Sequence, residues 1–461
     1  MSKFAPPAKD VDDLYFNQEI EPLLNTPQMA KIQLEKLKPT LQFFYDHVPF
    51  DRERMDDAGF KPQDIESFDD LARALPICGQ ADYREVFERF DNDMLKAYDH
   101  LYGELRMQQL HLITTTSGTT GIPTPYPVFH DSVEAMGEVL GRMGWRGGLR
   151  AGDRLAIGYG LSMHAAGTPI LYYYKKIPGV TIIPIGAEAG AERFLTLLKL
   201  FQVNAITCTP SLALYLAEKS EEYLGEPISS LGIEKLLLGA EPGAGIPEIR
   251  NRLESEYGAS VIDVGAGYGV SCECPEYQGM HWVGDDHCYY ELVDPETFEP
   301  VPMTNGATGL AVFTPLEPEA TIYFSNLRYT LNDIHQVFTD DCPCGRSGFR
   351  YKIVGRADDM LKVKGVPVYP AAIQGVINGF VPELTGSFRI ALDREPPLVI
   401  APLKLKVEYG EGVTEQELPA LEEKIIQKMK ALLKVSPAIS WLKPNSLERA
   451  LKKTQLLEKN Y

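Results

Sequence analysis

Apolar residues are distributed along this chain in three textures. From Met29 to His47 (MAKIQLEKLKPTLQFFYDH) they recur at helical spacing. Pro39 lacks an amide proton and its ring crowds the preceding turn, so it is expected to kink or divide that helix. From about 105 to 330, short apolar runs alternate with amphipathic stretches. RLAIGYG at 154–160, NAITCTP at 204–210, KLLLGA at 235–240 and SVIDVG at 260–265 read as strands, with helices near 191–201, 211–222 and 246–257. Such alternation predicts an α/β sheet with helices on both faces. After Gly355 the texture changes again. MLKVKGVPVYP reads as a strand followed by a turn, and AAIQGVINGF as a short helix. RIALDR and PLVIAPLKLKVEYG read as strands, and TEQELPALEEKIIQKMKALLKV as a charged amphipathic helix. The expected organisation is a large α/β N-terminal domain over 1–355 and a small α+β domain over 356–461.

Composition narrows the function. With 461 residues, 44% of them hydrophobic, the chain can bury more than one core. A formal net charge of −19 opposes non-specific nucleic-acid binding, which needs a basic surface. The opening MSKFAPPAKDVDDLYFN has no basic-then-apolar signal pattern. No run of about 18 apolar residues suggests a membrane span. A cytoplasmic protein with neither a nucleic-acid nor a membrane partner is expected. The seven cysteines are too few for a disulfide scaffold, yet Cys272, Cys274, Cys288, Cys342 and Cys344 cluster in sequence.

The sharpest local signal is Thr114-Thr115-Thr116-Ser117-Gly118-Thr119-Thr120-Gly121-Ile122-Pro123-Thr124. Glycines let backbone amides turn against an anion, and hydroxyls add uncharged donors. Composition alone fits a surface Ser/Thr/Gly loop equally well, and no Gly-Lys-Ser/Thr makes it a Walker-type loop. In its order, however, TTSGTTGIPT resembles the phosphate loop of the adenylate-forming superfamily, in which a lysine often stands where this chain has Ile122. Further stations follow in the family's order. Arg328-Tyr329-Thr330-Leu331-Asn332-Asp333 resembles R-Y-x-T-x-D, which implies that Asp333 accepts both ribose hydroxyls. Gly355-Arg356-Ala357-Asp358-Asp359-Met360-Leu361-Lys362-Val363-Lys364-Gly365 resembles the family's hinge. The resemblance implies a pivot at Asp358 for a mobile C-terminal domain, a nucleotide contact from Arg356, and Lys364 and Gly365 near a coenzyme A tunnel. The tail ERALKKTQLLEKNY aligns Lys453 with a catalytic lysine. Lys452 is the runner-up, and a solvated basic tail is the rival reading.

Between loop and hinge, Gly239, Ala240, Glu241 and Pro242 stand at the family's adenine-contacting turn. Gly267, Tyr268, Gly269 and Ser271 stand where the family reads Y-G-x-T/S-E, implying that Tyr268 stacks near adenine. Cys272 replaces the glutamate that usually holds Mg²⁺, so either Glu273 serves one place late or the metal is held by phosphates, water and Thr119 or Thr120. The order E-C-x6-H followed by C-P-C-G-R is similar to a zinc-bearing branch of phenylacetate–coenzyme A ligases. It implies structural Zn²⁺ on Cys274, His281, Cys342 and Cys344, with Cys272, His287 and Cys288 as spare donors; buried reduced thiols are the alternative. In that branch the acid pocket is built partly by Tyr159, Gly160, His164, Ala165 and Gly167, with Tyr215 and Phe129 as further candidates. The resemblance covers the chain from about residue 30 to the tail. It implies a ligase that uses ATP, Mg²⁺ and coenzyme A, with catalytic roles for Lys453, Thr119, Thr120 and Glu273, and phosphate contacts from Ser117, Gly118 and Gly121. A small-molecule aryl or arylacetic carboxylic acid would be the substrate, and a homodimer is the family-level expectation. Transfer to an amine or carrier thiol, or a non-catalytic nucleotide-binding relative, are the alternatives.

Overall fold

The computed structural model describes residues 14–115, 125–265, 267–274, 279–317, 325–447 and 456–461. The hydroxyl loop from 116 to 124 and the tail containing Lys452 and Lys453 lie outside those residues, so Ser117, Gly118, Thr119, Thr120 and Gly121 have no structural account here.

A twelve-stranded sheet organises the large part of the chain. Five of its strands are parallel: Thr181–Ile183, Arg154–Ile157, Ala205–Cys208, Lys235–Leu238 and Ser260–Gly265 lie side by side in that order. These strands read as continuous apolar runs because both faces are covered, one by helices Ala191–Leu200, Pro210–Leu224 and Pro247–Tyr257 and the other by helix His130–Arg146. At Ser260–Gly265 the direction of pairing changes. The next strand, Gly269–Ser271, returns antiparallel, and Met280–Trp282, Arg350–Arg356, Asp333–Phe338, Thr308–Pro315, Cys288–Val293 and Pro300–Val301 continue the sheet. Strand Leu110–Thr115 pairs with Pro125–Phe129 as a separate antiparallel hairpin whose connection is the hydroxyl loop.

Sequence periodicity located four of the parallel strands and missed the edge strand Thr181–Ile183. Pro39 behaves otherwise: Pro27–His47 is one unbroken helix with the proline inside it. Met29, Leu37, Leu41 and Phe44 form a buried stripe through the proline, and burial of that stripe outweighs the lost backbone hydrogen bond. Thr26 starts the helix by accepting a hydrogen bond from the Met29 amide.

Residues from Leu361 onward enclose a second core of their own, including Ile373, Phe388, Ile390, Leu405, Ile425 and Met429. It contains a four-stranded sheet in the order Pro437–Leu442, Leu403–Tyr409, Leu384–Leu392, Leu457–Lys459, and helices Pro370–Asn378 and Leu418–Leu433. MLKVKGVPVYP forms two strands, Leu361–Val363 and Val366–Val368, where a single strand was expected. Lys364 and Gly365, at φ +51° and +82°, make the two-residue turn between them. Among the described residues, no helix is long and apolar enough to cross a membrane.

The amino-terminal segment is locked to the large sheet by charge. Glu21 and Arg146 form a 2.6 Å ion pair with both side chains almost wholly buried. Glu21 also accepts the Phe16 and Asn17 amides, while Arg146 donates to the Ser347 carbonyl at 3.1 Å. Glu21→Ala would leave a buried guanidinium without its counter-charge. It is expected to destabilise the fold by about 3–5 kcal/mol, read from urea denaturation midpoints.

Candidate functional site

The carboxyl ends of the parallel strands open on one side of the sheet, where such folds leave a crevice. After Leu238 the chain enters Gly239-Ala240-Glu241-Pro242. A Cβ at Gly239 would overlap the Val264 carbonyl oxygen, so only glycine lets the turn cross the neighbouring strand. Ala240 adopts φ +68°, and Glu241 Oε1 accepts the Ser211 amide at 2.7 Å at the start of helix Pro210–Leu224. Gly267, at φ +80°, lies in the turn that leads into strand Gly269–Ser271, and a Cβ at Gly269 would collide with the Tyr351 hydroxyl. Ser271 Oγ accepts the Asp263 amide at 2.8 Å, pinning the two arms of this hairpin.

Asp333 and Arg356 are paired across adjacent strands. Arg356 Nη1 donates to Asp333 Oδ1 at 3.1 Å, and its Nε and Nη2 donate to both oxygens of Asp358 at 2.9 and 2.8 Å. One guanidinium therefore joins the residue expected at the ribose to the residue expected at the pivot. The other residues of that motif are structural. Arg328 is buried against Glu291 at 2.8 Å, and the Tyr329 hydroxyl lies 3.3 Å from that of Tyr126 on the strand after the hydroxyl loop.

The segment expected to line an acid pocket follows strand Arg154–Ile157. Tyr159 and Ala165 are buried, and His164 is half-buried with its Nδ1 accepting the Ala166 amide at 3.3 Å. A Cβ at Gly167 would overlap the Gly160 carbonyl oxygen, so the loop closes on itself only with glycine there. The Thr115 amide donates to the Met163 carbonyl at 2.6 Å, and the Ala165 amide to the Thr115 carbonyl at 3.0 Å. Thr115 is the residue from which the chain enters the hydroxyl loop. Of the further candidates, Phe129 is core, beneath the Arg106 guanidinium at 4.5 Å, and Tyr215 packs partly buried against the helical side of the sheet.

Three sequence expectations are corrected. Tyr268 does not face the crevice: it is fully buried, with its ring 5.1 Å from that of Trp282, and the bare backbone of Gly284 makes room for it. Burying a large aromatic surface in that cluster outweighs exposing it. Glu273 is committed to an ion pair with the buried guanidinium of Arg346, which needs its counter-charge there. The third correction concerns the metal donors. Cys272, Cys274, Cys342 and Cys344 bring their sulfurs within 4.8 Å of one another, so Cys272 takes the fourth place that was expected for His281.

Sulfur separations of 3.6 Å for Cys272–Cys342 and 3.3 Å for Cys274–Cys342 are close to the roughly 3.8 Å edge of a tetrahedron with ~2.3 Å metal–sulfur bonds. Hydrogen bonding with Cys272 holds Cys342 down to about 2 and lowers Cys344, while hydrogen bonding to Cys342 pushes Cys272 well up and burial raises Cys274 to about 11. Four sulfurs held this close can take up a soft divalent cation, with release of the protons that Cys272 and Cys274 retain. His281 borders the cluster: its Nδ1 lies 3.1 Å from the Ser347 carbonyl, to which it can only donate, and its Nε2 lies 3.3 Å from Cys344 Sγ. The spare donors are engaged elsewhere, His287 with Glu317 at 3.0 Å and Cys288 within the sheet.

Comparison with known proteins agrees with this layout. Residues 365–459 match the AMP-binding enzyme C-terminal domain family. The chain is 31% identical over 457 residues to the phenylacetate–coenzyme A ligase of Thermus thermophilus, covering 95% of this chain and 97% of that one. Its structure is similar to that of 2-hydroxyisobutyryl-CoA ligase in the postadenylation state in complex with 2-HIB-AMP. The TM-score is 0.85 at 26% identity, over 100% of this chain and 94% of that one. Against the same ligase in complex with 2-HIB-AMP and CoA in the thioesterification state, the TM-score is 0.67 at 26% identity, over the same 100% and 94%.

The four-sulfur geometry predicts an order of effects on metal binding. Cys272→Ser is expected to lower zinc affinity by more than the roughly 10- to 100-fold that loss of an outer contact causes, and His281→Ala by no more than that. Competition against a chromogenic chelator measures both, and the opposite order would return the fourth position to His281.

Proposed function

The chain belongs to the phenylacetate–coenzyme A ligase family, and from that premise we propose that it activates an aryl or arylacetic acid with ATP and transfers the acyl group to coenzyme A. The observation that carries this reading is the pair of hydrogen bonds in which Thr115 donates to the Met163 carbonyl and accepts from the Ala165 amide. They set the acid-pocket segment beside the root of the phosphate-binding loop, where a carboxylate and an α-phosphate must meet.

In the first step the carboxylate attacks the α-phosphate of ATP, forming a carboxyl–phosphate anhydride and releasing pyrophosphate. The hydroxyls and amides of residues 117–121 hold the phosphates. The turn Gly239–Pro242 borders the adenine, Asp333 accepts the ribose hydroxyls, and Lys453 stabilises charge building on the phosphate and carboxylate oxygens. Mg²⁺ bound to the phosphates would offset charge on the leaving pyrophosphate. With Glu273 held by Arg346, Thr119 or Thr120 remains as its protein contact. In the second step the coenzyme A thiol attacks the acyl carbon and AMP leaves. Zinc on Cys272, Cys274, Cys342 and Cys344 would brace the strand that ends at Ser271 and takes no part in either step.

Two steps at one site require two arrangements of the C-terminal domain, which begins at 356 and pivots near Asp358. The two comparisons with 2-hydroxyisobutyryl-CoA ligase have equal identity and coverage, so their different TM-scores support an arrangement here like that following acid activation. In it, Lys362 Nζ reaches Glu296 Oε1 at 2.9 Å and the Tyr369 ring packs on Gly355. Those contacts would break on rotation.

Incubation with ATP, coenzyme A and a panel of benzoic, phenylacetic and indoleacetic acids is expected to yield a coenzyme A thioester by mass spectrometry. Acid-dependent pyrophosphate release without thioester would instead indicate an amine or carrier-thiol acceptor. Asp333→Ala is expected to weaken ATP binding by roughly 10- to 100-fold in calorimetry, since charged hydrogen bonds to the ribose are lost; unchanged affinity removes its ribose role. Lys453→Ala is expected to suppress adenylation far more than thioester formation from supplied acyl-adenylate, and equal losses in both would reassign the lysine.

A further inference from the structure

The loop between strand Arg154–Ile157 and helix Ile170–Tyr173 is held from two sides. Thr115 grips Met163 and Ala165 on one side, as described. On the other, the Glu188 carboxylate accepts the Leu161 amide on Oε2 at 3.1 Å and the Ser162 amide on Oε1 at 3.4 Å. Glu188 sits in a one-turn 3₁₀ helix, Ala187–Ala189, with glycines on either side at φ +78° and +76°. The carboxylate fits because two glycines make room: a Cβ at Gly160 would come within 2.8 Å of Oε1, and one at Gly186 within 2.9 Å of Oε2. The Thr168 hydroxyl donates to the Leu161 carbonyl at 2.5 Å, closing the loop from within.

Clamped in this way, Met163 takes φ +57° although it is not glycine, and its side chain is 52% exposed. A left-handed non-glycine residue is strained and persists only where its surroundings over-determine it. Here two independent anchors do so, and the result is a bulky apolar side chain presented beside the root of the phosphate loop. Nothing in the core requires that side chain, so packing does not account for the strain.

We propose that Glu188 is a positioning residue for the acid substrate: through the amides of residues 161 and 162 it holds Met163 so that its side chain forms the apolar wall over the acid. This rests on the acid-activating reading above. Met163 contacts the non-carboxylate part of the acid and sets selectivity for apolar acids, while Glu188 acts only through the loop. A carboxylate suits the task because each of its oxygens serves one amide, whereas glutamine offers a single acceptor.

Acid-dependent ATP–pyrophosphate exchange tests this without needing the second half-reaction. Glu188→Ala is expected to raise the KM for the acid by about tenfold or more, the scale set by loss of an apolar pocket contact, with the KM for ATP within about twofold of wild type. Glu188→Gln should give a smaller rise. Gly160→Ala, which displaces the carboxylate sterically, should reproduce the Glu188→Ala effect and add little to it in the double variant. Met163→Gly relieves the strain while removing the wall, so it should melt no lower than wild type yet raise the KM for the acid. Amide exchange at residues 161 and 162 should accelerate in Glu188→Ala. If wild type shows exchange and Glu188→Ala keeps its KM for the acid, or the acid and ATP constants rise together, the positioning role is overturned while the ligase reading stands. Failure of wild type to exchange with any acid in the panel would remove both.

Discussion

The approach of Gly239 to the carbonyl of Val264 is the contact on which the arrangement of the site depends. Strands Lys235–Leu238 and Ser260–Gly265 are parallel neighbours, and the chain leaving the first must cross the end of the second with no space for a side chain. Once that turn is made, Ala240 goes left-handed and Glu241 reaches back to an amide at the start of helix Pro210–Leu224. Just beyond Val264 the sheet changes from parallel to antiparallel pairing, so the turns at 239–242 and 265–269 gather at the switch in sheet direction.

A second constraint is charge. The residues around the sulfur cluster come from distant parts of the chain, and each buried guanidinium among them has a carboxylate: Arg146 has Glu21 and Arg346 has Glu273. Burying an arginine is tolerable only with such a partner. Glu273, which stands one place after the motif's usual glutamate, is the carboxylate that Arg346 finds. Ser347, next in sequence to Arg346, makes contact with the first pair: its carbonyl receives a hydrogen bond from Arg146 and its hydroxyl donates to the Glu21 carbonyl. The cluster and the amino-terminal segment are thereby parts of one buttress behind the strand that carries Ser271.

The small C-terminal core stands on its own contacts, and it meets the rest through polar contacts and the Tyr369 ring. Arg356 spans Asp333 and Asp358, Lys362 reaches Glu296, and Tyr369 lies on Gly355. Ion pairs with exposed partners are worth little individually, so a seam built from them can be exchanged for another without unfolding either part. A ligase that must present two surfaces to one site needs that kind of seam.

The parallel strands were legible in the sequence because a strand buried on both faces leaves a continuous apolar run bounded by glycine and proline, as at 235–238 and 260–265. The order of the motifs was legible through their resemblance to a family, and the match to phenylacetate–coenzyme A ligases agrees with it. Pro39 inside an unbroken helix, Tyr268 in the core, Cys272 as a full member of the sulfur cluster instead of a spare donor, and Glu188 under the loop at 161–162 were not. Each depends on a partner tens or hundreds of residues away, and no local period records which face of a hairpin a ring takes or which carboxylate a buried arginine needs. The amino-acid order by itself determined where most of the strands and turns lie. Which donors converge, and which charged groups are consumed by structure before they can serve catalysis, was decided only by packing, because burial sets the energy of every unpaired charge and every exposed ring.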